Sequence, residues 1–193
     1  MKVKRHGQGE ILSPKQIDSL FTYGLLTPRE RALFGICLYT GARISEACKL
    51  YREYCYHDLV PREKIILRKG NTKGKKISRE IPSHPNLIKL LNKYLQSEPR
   101  WQYTDYVFPG RGGFLHLSPK WADRLLRDGC KRVGLIGVST HSFRRTCLSA
   151  MSDAGVPLRH IQSISGHANL AALQRYLGVT DEQKKKTISN LPV

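Results

Sequence analysis

The sequence predicts a mainly helical α+β domain with one small antiparallel β-hairpin, and three observations carry that prediction. Ser or Thr followed by Pro opens a segment at Ser13-Pro14, Thr27-Pro28 and Ser118-Pro119, which is the N-cap and first-turn pattern of a helix start. Apolar residues then recur at helical spacing, most plainly at Leu87, Leu90, Leu91, Tyr94 and Leu95. A β-branched run, Lys64 to Leu67, is followed after a turn by an alternating one, Lys76 to Ile81, and the two read as strands of a hairpin.

Taken in order, residues 1–10 form a polar, basic, glycine-containing arm, suited to lying along a phosphate backbone. Residues 11–193 make one compact domain, large enough to bury a core without staples. The first helix starts at Ser13 with a capping-box Gln16 and ends near Gly24; the second starts at Thr27 and is apolar nearly all round through Leu33, Phe34, Ile36, Cys37 and Leu38, hence central and buried. Gly41 suits a left-handed helix end, after which Arg43 opens a short helix with Glu46 on the same face. Glu46 as an ion-pair partner and a bound anion are equally good accounts of Arg43 at this level.

The hairpin loop KGNTKGKK carries lysines 69, 73, 75 and 76, a basic turn able to reach a groove or a phosphate. A helix to about Ser97 follows, then a short strand-like Tyr106-Val107-Phe108 and an exposed PGRGG turn. The helix from Ser118 places Ala122, Leu125, Leu126, Cys130 and Val133 inward, with Lys120, Arg124, Arg127 and Lys131 as an outer basic stripe. Phe143, Cys147, Ala150, Met151 and Ala154 mark the apolar face of the next helix, leaving His141, Arg144 and Arg145 at its edge. Asp181 to Leu191 is expected to form a last short helix.

Composition narrows the function. Lys and Arg number 33 against 15 Asp and Glu, a net charge of +18, which on a globular chain points to a polyanion, nucleic acid first. Five cysteines with no C-x-x-C pair read as reduced core thiols rather than a disulfide frame or zinc site. No apolar run reaches membrane-span length and no signal core follows the basic start, so the expected location is cytoplasmic.

The stretch Thr140 to Tyr176 concentrates the chemistry. His141 and Arg144 lie three apart at a helix start and share a face. Paired arginines beside a histidine ask for a carboxylate or a phosphate. His167 and Tyr176 follow, nine residues apart.

TGARISEACKL, the basic hairpin, HSFRR, SGH and the final RY, in this order and spacing, resemble the catalytic domain of the tyrosine recombinase (phage integrase) family. The resemblance implies that family's catalytic-domain fold over residues 11–193. It makes Arg43 the first arginine, His141 and Arg144 the H-x-x-R pair, His167 the second histidine and Tyr176 the nucleophile. The lysine falls on the hairpin ahead of Arg79-Glu80-Ile81-Pro82; Thr72-Lys73 favours Lys73, with Lys69 and Lys75 open. Arg145 stands where many relatives have a further histidine, and Ser165 where leucine is common. Most members also carry a helical DNA-clamping domain ahead of this one, for which the expectation here is a short form with only the basic arm.

The implied function is site-specific recombination of double-stranded DNA through a 3′-phosphotyrosyl intermediate, with no metal and no nucleotide cofactor. A free tyrosine has a pKa of about 10, so attack at neutral pH needs a base and a cationic site. His141 is the candidate base, Arg43 and Arg144 the phosphate clamps, His167 a further donor, and Lys73 the acid for the leaving 5′ oxygen. Magnesium-dependent nucleases need clustered carboxylates, of which the sequence shows none. Type IB topoisomerase-like relaxation, or a catalytically idle DNA-binding relative, are the alternatives. The family implies a homo-tetramer on two duplexes, with residues 177–193 either exchanged between neighbours or packed on their own domain, and the free chain is expected to be a monomer.

Overall fold

The computed structural model describes residues 9–68, 78–98, 104–177 and 188–189, and its architecture is mainly helical with two small antiparallel sheets. Helix α1 (Pro14–Ser19) opens with the predicted capping box of Ser13 and Gln16 and continues into a π-helical turn, Leu20–Gly24. Gly24 does end this element, but the reason is close approach rather than a left-handed turn. A Cβ there would stand 2.9 Å from the carbonyl oxygen of Gly129 on a neighbouring helix.

Helix α2 (Pro28–Thr40) is the central element expected of an all-round apolar helix, with Ala32 through Leu38 buried. It packs against α4 (Pro85–Ser97) and α6 (Thr140–Asp153). Gly41 ends it at φ +62°, the left-handed region that glycine enters without steric cost. The chain therefore turns sharply, and α3 (Ile44–Cys48) starts with Arg43 at its N-cap.

Two hairpins follow. Strands β1 (Tyr56–His57) and β2 (Val60–Pro61) pair around Asp58 and Leu59, both at positive φ. The sequence reading missed this pair, because Asp-Leu lacks the glycine that normally marks such a turn. Strands β3 (Lys64–Leu67) and β4 (Arg79–Pro82) form the predicted hairpin, with Ile65 opposite Ile81 and Leu67 opposite Arg79. Period-two alternation thus places Arg79 on the buried face. The loop with Lys69, Lys73, Lys75 and Lys76 lies outside the described residues. Tyr106 makes a single antiparallel bridge to Tyr51, the Val107 N–H donates to the Leu50 carbonyl, and the Phe108 carbonyl accepts the Leu117 N–H.

Helix α5 (Pro119–Arg132) buries Ala122, Leu126, Gly129 and Cys130 and exposes Lys120, Arg124, Arg127 and Lys131, as its pattern indicates. Helices α7 (Leu158–Ser165) and α8 (Leu170–Leu177) complete the fold. The last helix expected at Asp181 to Leu191 lies outside the described residues except at positions 188 and 189. All five cysteines are buried free thiols, and no helix among the described residues is long and apolar enough to cross a membrane.

There are two apolar clusters, and α6 joins them. Phe143 belongs to the larger one, stacked on Phe34 with ring centroids 5.1 Å apart. Leu148 belongs to the smaller one, with Ile161, Leu173 and Leu177 from α7 and α8. This corrects the expected face of α6. Ala150 and Ala154 are exposed, Leu148 takes the core position instead, and Arg144 is 1% exposed rather than at the edge. Helices α7 and α8 cover a side of α6 that its own periodicity assigns to solvent.

Candidate active site

The gap between the two clusters is where the polar residues collect. Arg144, on the first turn of α6, runs into this gap and donates from Nη1 to the Gly41 carbonyl and from Nη2 to the Ser165 carbonyl at 2.8 Å. It ties the end of α2 to the end of α7 through two carbonyls, where the sequence left a carboxylate and a phosphate as equally open partners. Burial, with Arg43 and Arg79 nearby, lowers its pKa to about 10, and Glu46 opposes this. The guanidinium is therefore still charged at neutral pH.

Arg43 stands beside it, its side chain one-third exposed. Glu46 anchors it twice: Oε2 accepts the Arg43 backbone N–H at 2.7 Å, and Oε1 lies 3.7 Å from Arg43 Nη1. The shorter ion pair of Glu46 is with Arg79, whose Nη2 reaches Oε1 at 2.5 Å. Arg79 Nη1 donates onward to the Ile164 carbonyl. A buried carboxylate thus joins the first arginine, the β4 strand and α7.

His141 sits at the rim, one helical turn before Arg145. Burial first, then the charges of Arg43 and Arg144, lower its pKa below the ordinary 6.5, so the ring is neutral at pH 7. His167, in the turn between α7 and α8, faces Tyr176 with ring centroids 5.2 Å apart. Its Nδ1 is 2.8 Å from Ser165 Oγ.

Tyr176 lies near the end of α8, and its hydroxyl oxygen is shielded from solvent without a well-formed hydrogen bond. Burial raises its pKa above 10, while Arg144, Arg145 and Arg43 pull it back, Arg144 also through direct approach of its guanidinium. Burial wins, so the phenol is protonated at neutral pH. Arg145 itself turns aside to the Gly9 carbonyl at 3.0 Å.

Five of the six predicted site residues, Arg43, His141, Arg144, His167 and Tyr176, therefore meet in one cleft from α3, α6, the α7–α8 turn and α8. Lys73 lies outside the described residues. Sequence reasoning did not assign parts to Arg79 and Ser165. Arg79 left a signal, a charge at an inward strand position beside Ile81; Ser165 left only a departure from a common leucine.

A helical domain that gathers arginines and histidines around a shielded phenol is built to hold an anion against that phenol. Residues 10–183 match the Phage integrase family, and the chain belongs to that family. A tyrosine recombinase of Thermosipho africanus is 29% identical over 164 residues, which cover 84% of this chain and 54% of that relative. Among solved structures, a XerA recombinase superposes with a TM-score of 0.78 at 25% identity, over 96% of this chain and 66% of that one. XerH bound to its difH substrate gives 0.72 at 17% identity, over 100% of this chain and 57% of that one. The chain thus spans about half the length of the curated relatives that it matches first.

Proposed function

We propose that this chain cuts and rejoins double-stranded DNA at specific sites, with Tyr176 as the nucleophile. The observation that carries this reading is the shielded Tyr176 hydroxyl, set among Arg43, Arg144 and Arg145 with a neutral His141 on the same cationic cleft. The Tyr176 oxygen attacks the scissile phosphorus, its proton passes to His141, and the bond from phosphorus to the 5′ oxygen breaks. Lys73 protonates the departing 5′ oxygen, a task for which arginine's pKa is too high. Arg43 and Arg144 hold the non-bridging oxygens as negative charge builds, and His167 adds a donor. The phosphotyrosyl bond keeps the energy of the phosphodiester, so a 5′-hydroxyl from another strand reverses the step with neither metal nor nucleotide. The exposed stripe of α5 and the net charge of +18 suit a duplex backbone. Assembly as a tetramer on two duplexes belongs to the same proposal.

The test is incubation with supercoiled plasmid in the absence of divalent metal, quenched with detergent, for wild type and Tyr176→Phe. Covalent protein–DNA complex is expected in wild type alone. Complex formation by the Phe variant would remove Tyr176 from the mechanism.

The pH profile checks the base. The free-enzyme pKa of His141 governs the acid limb of kcat/KM, and burial and the two arginines place it below 6.5. The expected result is a profile that is flat around neutrality and falls about tenfold per unit below the His141 value. An acid limb centred above 6.5 would contradict a depressed histidine as base.

A further inference from the structure

We infer that Arg79 is a positioning residue that occupies the Glu46 carboxylate and so leaves the Arg43 guanidinium to face an anion in the cleft. This rests on the reading of Arg43 as a phosphate clamp, but the allocation of charge behind it is measurable without DNA.

Two arginines compete here for one carboxylate. Glu46 is 1% exposed, and a charge so enclosed needs a cation or donors against it. Its Oε2 accepts the Arg43 backbone N–H at 2.7 Å, which leaves Oε1 to the two side chains. Arg79 Nη2 stands 2.5 Å from Oε1, within hydrogen-bonding range, whereas Arg43 Nη1 stands at 3.7 Å, beyond it. What holds each guanidinium decides the outcome. The alternation of β4 delivers Arg79 to the buried face, and its Nη1 donates to the Ile164 carbonyl, so both arms of the fork are fixed. Arg43 sits at the N-cap of α3 with its side chain one-third exposed, and it shares the cleft with His141 and Arg144. The two guanidiniums and the carboxylate leave one net positive charge, and this pairing puts it on Arg43.

Without the Arg79 cation, Glu46 keeps its burial and loses its short partner. Arg43 Nη1 is already at ion-pair distance, and a small swing closes the gap. The clamp is then tied to an anion of the protein itself, and the trio has no net charge to offer a phosphate. Glu46→Gln in that background keeps an acceptor for the Arg43 N–H and returns the lost charge. The same Glu46→Gln in an otherwise native chain strands the buried Arg79 guanidinium and is harmful. Its sign therefore depends on Arg79.

The experiment uses the intact chain with Arg79→Met, Arg79→Lys, and Arg79→Met combined with Glu46→Gln. Burial, Arg43 and Arg144 hold the His141 pKa below 6.5, so NMR titration of the His141 ring without DNA, assigned through His141→Gln, reports the charge on Arg43. The value is expected to rise in Arg79→Met and to return in the other two variants. In an Arg43→Ala background, Arg79→Met is expected to leave it unmoved. Single-turnover cleavage of a nicked suicide duplex is expected to fall about tenfold in Arg79→Met, short of the roughly 10²–10³ that loss of a whole donor costs, and to recover with the His141 value. Arg79→Lys is expected to regain most of the rate yet remain less stable to urea, since an ammonium restores the charge without the fixed fork to Ile164. An unmoved His141 titration in Arg79→Met, or an equal rise in the Arg43→Ala background, overturns the proposal whether or not Tyr176 proves to be the nucleophile. Cleavage that follows urea stability across the three variants overturns it as well, by showing that Arg79 acts through packing.

Discussion

Arg144→Ala is expected to cut single-turnover cleavage by about 10²–10³ and to destabilise the fold by about 3 kcal/mol. The two losses have separate origins. Cleavage suffers because a charged donor no longer faces the phosphate in the transition state. Stability suffers because the guanidinium is 1% exposed and donates to the carbonyls of Gly41 and Ser165. Each buried acceptor left without a donor costs about 1–3 kcal/mol. Urea unfolding separates the effects, and Arg144→Lys is the informative companion. An ammonium keeps the charge but cannot span two carbonyls in a fixed fork, so it should recover part of the stability and little of the rate. Unchanged urea stability in Arg144→Ala would show that the bridge from α2 to α7 does not hold the cleft together.

Glu46→Ala is expected to cost about 3–5 kcal/mol, the usual penalty for stranding a buried charge. The stranded partner is Arg79, whose side chain is 6% exposed. The loss also frees the Arg43 backbone N–H and its guanidinium. A misplaced clamp of this kind lowers cleavage by about 10². The double variant Glu46→Leu with Arg79→Met distinguishes the two consequences. An apolar pair of similar volume often replaces a buried ion pair without loss, so stability is expected to return in large part. Cleavage is not, since Arg43 remains unanchored. Recovery of both would mean that Glu46 matters only as the counter-charge of Arg79.

The order of motifs along the chain was enough to name five cleft residues, and four of them sit beside a local signal. Arg43 follows the glycine that ends α2, His141 and Arg144 share the first turn of α6, and His167 follows the glycine that ends α7. Capping residues and periodicity likewise determined helices α1, α2, α4 and α5, together with the hairpin that carries the lysines. These are properties of short segments, and the segments keep them wherever they pack.

What only the tertiary structure decided is which faces are covered and who partners whom. Periodicity placed Arg144 at the edge of α6, yet α7 and α8 close over that edge, bury the guanidinium and make Leu148 a core residue in place of Ala150. Arg79 became the main partner of Glu46 across 33 residues, and Ser165 Oγ came within 2.8 Å of His167 Nδ1. The raised Tyr176 pKa follows from that same enclosure. Burial and long-range hydrogen bonds depend on surfaces that meet only when the chain folds, so no local pattern records them.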